Sequence, residues 1–430
     1  MNKVCTGDFE DVKRVNELGC NEILGNLRIR FSETLGFAPE AKGLVRISGG
    51  LTFENSALNA ESGSFYAPNL SEVGSMTVSG SFVPVLGGFQ SLERVHGDLN
   101  VATYQFLQNN RYRVFPKLRV VGGKLTAGLS EIPANALAKL ESVGSLEIND
   151  CFDISGFNGM KRIFGSLTVS NCDELVTLDG FSALQDISDS LTIENNPKLE
   201  MISTFKRLAS VRDITLSASP KASSLPQFQQ LKTLANNLVI TNWGMTNAEG
   251  LSQITAIDGG LSFSENEKLE SLAGLEKLTY VGGLNLTANR SLTSVNGLGQ
   301  LKIVGETLAI SANPILETIE GLSSLTEIGT VAGSSSFGLV IDQSIGLKSL
   351  RGLENLQTLS ASLYLVGNTS LEDISAIKSV EPFEPGVGFV EISGNNIAEE
   401  FCPDDAVFPG LGEFCSEFAN PDEEDGSGDE

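Results

Sequence analysis

LNLTANRSLTSVNGLGQLKIV, residues 284–304, is the stretch whose reading decides the fold. Leu284 and Leu286 alternate with Asn285, the period-two pattern of a short strand with one side inward and the other outward. Asn289 follows, then Leu292, Val295, Gly297, Leu298, Leu301 and Val304. The frame repeats on either side, as LSFSENEKLESLAGLEKLTYV at 261–281 and LAISANPILETIEGLSSLTEI at 308–328. Strand starts at Leu167, Leu191, Ile214, Leu238, Leu261, Leu284 and Leu308 are 24, 23, 24, 23, 23 and 24 residues apart. A period of this size is that of a solenoid, in which one coil cannot hide its apolar side alone and neighbours stack.

Farther out, the frame drifts but persists. Upstream strands start at Leu27, Leu51, Met76, Leu99, Leu125 and Leu146, and downstream ones at Leu339, Leu363 and Val390. The expected fold is mainly β, a right-handed parallel β-solenoid of about sixteen coils over residues 27–395. An asparagine stands five residues after many strand starts, as Asn196, Asn266, Asn289, Asn313, Asn368 and Asn395. A buried amide there is expected to satisfy backbone groups at the corner of each coil.

The 430 residues carry 29 basic and 54 acidic side chains, a net charge of −25. Such a balance argues against nucleic acid or an anionic membrane as partner. No run of eighteen apolar residues spans a membrane. The N-terminus shows no charged region followed by an apolar core, so no signal peptide is expected in this chain. The acidic stretch 419–430 reads as a disordered tail or linker.

The six cysteines fall into three local pairs. Cys5 and Cys20 bracket DFEDVKRVNEL, a helical stretch expected to cover the first coil, so 1–26 reads as an N-terminal cap. Cys402 and Cys415 bracket a C-terminal cap at 396–418. Caps stapled by disulfides imply an oxidising compartment, extracellular or at the cell surface. Cys151 and Cys172 occupy the asparagine slot of adjacent coils, where equivalent Cα atoms stack at about 4.8 Å. They form either a third disulfide or a pair of buried thiols.

Cys5 and Cys20 followed by NEILGNLRI (21–29) resemble the opening of a receptor L-domain, the ligand-binding solenoid of the insulin and epidermal growth factor receptors. The pattern is similar also to fungal GPI-anchored cell-wall proteins of the sporulation-specific family. GSLTVSNCDELVTLDGFSAL (165–184) and DSLTIENNPKLEMISTF (189–205) resemble the repeats of those proteins and of secreted microbial surface proteins. The resemblance covers nearly all of residues 5–415 and implies a leucine-rich-repeat-like binding solenoid. It departs from the receptors in coil number and in lacking a furin-like region and a kinase. Two L-domain-like halves joining near 103–145 remain open. The Ser/Thr-rich tail and GPI signal of the fungal proteins are absent from this sequence.

Catalysis is not expected. His96 is the one histidine, which leaves no Ser-His-Asp or Cys-His set and no Cys/His zinc site. Neither a cofactor nor a metal is expected. Glu54, Glu147, Glu194 and Asp342 sit on outward strand positions, separated by several coils.

Three features are candidate binding surfaces. The outward strand positions form a hydroxyl ladder that includes Thr168, Ser170, Thr192, Thr215 and Ser217. The insertion 103–115 brings Tyr104, Phe106, Arg111, Tyr112 and Arg113, residue types common at binding hot spots. Two further insertions leave the frame at 329–337 and 380–389. Asn69 and Asn285 are the outward N-glycosylation sequons, whereas Asn289 and Asn368 face inward.

The expected function is a non-catalytic scaffold for adhesion, wall organisation or recognition, with a protein or glycan on a surface as partner. The alternatives are a receptor ectodomain for a soluble protein, and an ice- or glycan-binding sheet. A monomer or weak oligomer is expected.

Overall fold

Short strands with one apolar side are stable only when the next coil covers that side, and the computed structural model shows this stacking. The structure describes residues 2–31, 40–55, 64–79, 85–101, 115–128, 137–329, 338–360, 362–378, 380 and 389–398. The chain divides into two compact units, Met1–Lys221 with Pro226–Gln230, and Ala222–Leu225 with Leu231–Glu430.

The first unit opens with β1 (Val4–Thr6), α1 (Val12–Leu18), β2 (Glu22–Leu24), β3 (Leu27–Phe31) and β4 (Arg46–Asn55). From β3 onward the strands are parallel, with Leu27, Leu51, Met76, Leu99, Leu125, Leu146, Leu167, Leu191 and Ile214 stacked in register. In the second unit Leu238, Leu261, Leu284, Leu308, Leu339, Leu363 and Val390 form the same kind of row. Each strand start read from the sequence is therefore a strand. The join considered near 103–145 includes residues outside those described. Leu125 within it is in register with Leu99 before it and Leu146 after it.

The N-terminal cap differs from a simple helical cover. β1 pairs in parallel with β2, and Phe9 bridges to Leu27, so the cap contributes a rung of its own. Asp11 caps α1 by accepting the Arg14 N–H at 2.8 Å, and Gly19 ends it at φ 66°. Val12 and Val15 are the buried residues of the helix. The Cys5–Cys20 disulfide ties the rung to the far end of α1. Cys402, Cys415 and the acidic tail lie outside the described residues.

Two internal columns hold the coils together. In the first unit, phenylalanines repeat behind the strands. Phe157, Phe181, Phe205 and Phe228 have ring centroids 5.5, 5.8 and 6.2 Å apart, and the first two pairs are face-stacked. Phe53, Phe65, Phe89 and Phe115 form a second run. Each is fully buried, and such ring pairs stabilise by about 0.5–1.5 kcal/mol beyond area burial.

The other column is the corner. One residue before the asparagine slot the backbone turns left-handed in coil after coil, at Asp150, Asn171, Asn195 and Ala218 in the first unit. In the second unit the same position is Asn242, Glu265, Ala288, Ala312, Gln343, Gly367 and Gly394. This reversal points the next backbone N–H along the stack. Asn266, Asn289 and Asn313, all fully buried, accept it. Asn266 N–H donates to Asn289 Oδ1 at 3.1 Å, and Asn289 N–H to Asn313 Oδ1 at 3.0 Å. Their Nδ2 groups donate back to the Ile240, Phe263 and Leu286 carbonyls at 2.9, 2.9 and 2.8 Å. The expected internal role of the asparagines is what the structure shows.

The slot has other occupants. In the first unit Cys151 and Cys172 are disulfide-bonded with Cα atoms 4.6 Å apart, which resolves the alternative left open by spacing. Cys172 N–H still donates to Asn196 Oδ1 at 3.0 Å. In the second unit Trp243 takes the slot.

Candidate ligand-binding face

The outward face of a parallel ladder repeats at the spacing between strands, so identical side chains form rows. In the first unit Thr168, Thr192 and Thr215 are consecutive in such a row. All three are half-buried, and their hydroxyls have no partner among the described residues. Beside them runs a second row, Asn149, Ser170, Glu194 and Ser217. Glu194 is exposed and Ser217 half-buried.

Ser170 departs from expectation. It is only 6% exposed, so it does not offer its hydroxyl as an open contact. Its short side chain lies between the longer Asn149 and Glu194 of the adjoining coils. Asn149 in turn donates to Glu147 at 3.2 Å while its Oδ1 is buried without a partner. Glu147 closes this end of the face. Its hydrogen bond with Lys124, aided by Asn149, holds its carboxyl below the usual carboxylate range.

The matching face of the second unit is different in kind. Thr241 and Ser264 hydroxyls bond each other at 2.8 Å. Asn285 donates to Ser262 at 3.1 Å and accepts from Thr287 at 2.6 Å, and Ser311 donates to Asp342. Three of these four bonds run between coils and the Thr287–Asn285 bond lies within one strand, so part of the hydrogen-bonding capacity of this face is already used.

The first coils are charged instead. Arg28 and Arg30 of β3 point outward and meet Glu54 of β4 at 3.4 and 3.2 Å, with Glu10 of the cap at 3.9 and 3.5 Å. The hydroxyl ladder thus gives way to an ion-pair network at the N-terminal end. The alternation of Arg28 and Arg30 about Ile29 carries that signal in the sequence. His96 sits at a coil corner, 3.1 Å from Glu72, which also meets Arg46 at 3.6 Å.

Tyr104, Phe106, Arg111, Tyr112 and Arg113 lie outside the described residues, as do 330–337 and 381–388. Phe115, where that insertion ends, is buried against Phe89. Asn69 is exposed, with its Nδ2 donating to the Lys42 carbonyl at 2.7 Å. Asn285 is half-buried and engaged as above, so a glycan there would displace a bond to Ser262.

No family model matches the sequence, and no curated protein matches it. Among solved structures the chain is similar to one described as the crystal structure of the TLR13–ssRNA13 complex. Identity is 15%, over 92% of this chain and 75% of that one, with a TM-score of 0.23. A likeness at that score carries no argument, and the parallel solenoid rests on the strand register itself.

Among the described residues no group of three or more His, Cys, Asp or Glu side chains could hold a metal ion. No described helix is long and apolar enough to cross a membrane. The Thr168–Thr215 face presents hydroxyls that can donate or accept hydrogen bonds and a carboxylate at Glu194.

Proposed function

We propose that this chain is a non-catalytic binding scaffold of the extracellular space or cell surface, presenting the Thr168–Thr192–Thr215 face to a surface protein or glycan. The observation that carries it is the contrast between the two units. Hydroxyls on the second unit's outward face are engaged by neighbouring side chains, whereas the first unit keeps a row of three with no partner among the described residues, beside the exposed Glu194. Glycosylation at Asn69 and a contribution from the Tyr104/Arg111/Tyr112/Arg113 segment belong to the same reading. Buried disulfides at Cys5–Cys20 and Cys151–Cys172 support an oxidising compartment. Adhesion or wall organisation fits an acidic scaffold without a catalytic set. Capture of a soluble protein is the alternative role for the same face.

The test is a binding screen over glycans, cell-surface proteins and secreted proteins. It uses the wild-type chain, a Thr168→Ala/Thr192→Ala/Thr215→Ala variant and a Tyr104→Ala/Arg111→Ala/Tyr112→Ala/Arg113→Ala variant. Binding lost in the threonine variant supports the face, and loss in the second variant only moves recognition to the insertion. Binding that survives both sinks the reading. Glycan hits, soluble-protein hits or thermal hysteresis separate the ligand classes.

A further inference from the structure

The chain contains two Asn–Gly pairs, Asn158–Gly159 and Asn296–Gly297. Such a pair can modify itself. The glycine nitrogen attacks the asparagine Cγ, a C–N bond forms, and the side-chain amide leaves as ammonia with the displaced proton. Water then opens the cyclic imide at either carbonyl, giving aspartate or isoaspartate. No oxidant, enzyme or cofactor enters. The rate depends on whether the carboxamide is free to swing and whether the glycine N–H is free.

In the first pair neither side of the carboxamide is free. Asn158 Nδ2 donates to the Ser155 carbonyl at 2.8 Å, and Oδ1 accepts from the Ser182 hydroxyl at 2.7 Å. Its backbone is right-handed helical, at φ −60° and ψ −19°.

The second pair lacks these restraints. Asn296 is exposed, and its side chain has no partner among the described residues. Gly297 stands at φ +112°, a corner shared with Gly274 at +111° and Gly352 at +110°. At those two corners the glycine N–H is capped from two residues on: Gly274 donates to Glu276 Oε1 at 2.8 Å, and Gly352 to Glu354 Oε2 at 2.8 Å. The residue two on from Gly297 is Gly299, which has no side chain to cap with. Ala273 and Arg351 precede the capped glycines, so the one uncapped corner of the three is also the one preceded by asparagine.

We infer that Asn296 is the self-modifying site of this protein, converting to aspartate and isoaspartate while Asn158 is protected by the fold. Isoaspartate lengthens the backbone at a corner with no room to spare. A Cβ built on Gly297 would already lie 2.0 Å from the Leu272 carbonyl of the preceding coil. Modification therefore acts on stacking, and it adds a negative charge to an acidic surface.

The experiment ages the intact, oxidised chain in mildly alkaline buffer and follows amide-to-acid conversion by peptide mass spectrometry. Conversion at Asn158 should be at least about tenfold slower than at Asn296, because freeing its carboxamide breaks two hydrogen bonds. Gly299→Glu, which restores the side chain found at the other two corners, should slow Asn296 without altering Asn158. In denaturant the two sites should converge. Equal rates in the folded chain, a faster Asn158, or a Gly299→Glu variant that ages like wild type although it folds would each overturn the inference.

Discussion

The backbone N–H of Trp243 donates to the side-chain oxygen of Asn266 at 2.9 Å, which places the chain's one tryptophan inside the asparagine ladder. Its indole is 1% exposed and donates through Nε1 to the Ser224 carbonyl at 3.2 Å. A buried indole tied to the ladder makes intrinsic fluorescence a direct reporter of whether the second unit is folded.

Asn289→Ala should be among the most damaging single changes in that unit. It removes the acceptor for the Asn266 N–H and the donor to the Phe263 carbonyl, both in a fully buried column. Orphaned buried groups cost about 1–3 kcal/mol each. Denaturation followed by Trp243 emission should show a loss of about 2–4 kcal/mol. A loss within error of zero would mean water replaces the ladder.

Ala312→Gly should stabilise the fold. Ala312 has φ 54°, and the same corner is filled by glycine at Gly367 and Gly394. Left-handed backbone costs a non-glycine residue about 1–2 kcal/mol, and the greater freedom of glycine when unfolded takes back part of it. The net gain expected is about 0.5–1 kcal/mol, read as a higher thermal midpoint. A lower midpoint would contradict it.

Reducing the Cys151–Cys172 bridge should weaken the first unit. The bridge closes a sequence separation of 21 residues, for which chain-entropy reasoning gives about 3 kcal/mol. Cys151→Ser/Cys172→Ser should lose about that much. Cys151→Asn/Cys172→Asn should lose less, since asparagine supplies the ladder bonds at Asn196 and Asn289. Equal losses in the two pairs would show that the slot does not recognise asparagine there.

Acid should act in part through Glu147. Its carboxyl is held below the ordinary value of 4.5, first by Lys124 and then by Asn149. The unfolded chain therefore takes up this proton at higher pH than the folded chain. The stabilisation is fully present above the unfolded value and is lost as pH falls from there through the lower, folded value. Glu147→Gln should lose less stability than wild type over that acid window, measured by chemical denaturation at successive pH values. Parallel curves would remove Glu147 from the acid response.

Much of this was legible from spacing. Strand starts, the inward asparagines and the proximity of Cys151 and Cys172 all follow from a period that places equivalent residues one strand apart. Other features escape pattern reading. By pattern alone, TNWGMTN (241–247) puts Trp243 at a coil turn where it packs rather than binds, as its burial bears out; that it fills the asparagine slot is not legible, because tryptophan does not look like asparagine. Its backbone N–H nonetheless makes the bond that a slot asparagine's makes, donating to Asn266 of the next coil. The phenylalanine column at 157, 181, 205 and 228 also repeats at 23–24 residues, a signal outweighed by the leucines around it.

For this chain, sequence by itself determined the coil, its faces and its corner residues, since each depends on alternation and spacing along a local stretch. Tertiary structure alone decided which polar groups are already spent. Thr168 and Thr241 read alike as outward hydroxyls, yet Thr241 is engaged by Ser264 from the next coil and Thr168 has no partner among the described residues. Hydrogen bonds are made over about 3 Å between residues more than twenty positions apart, and only the stacked register brings those residues together.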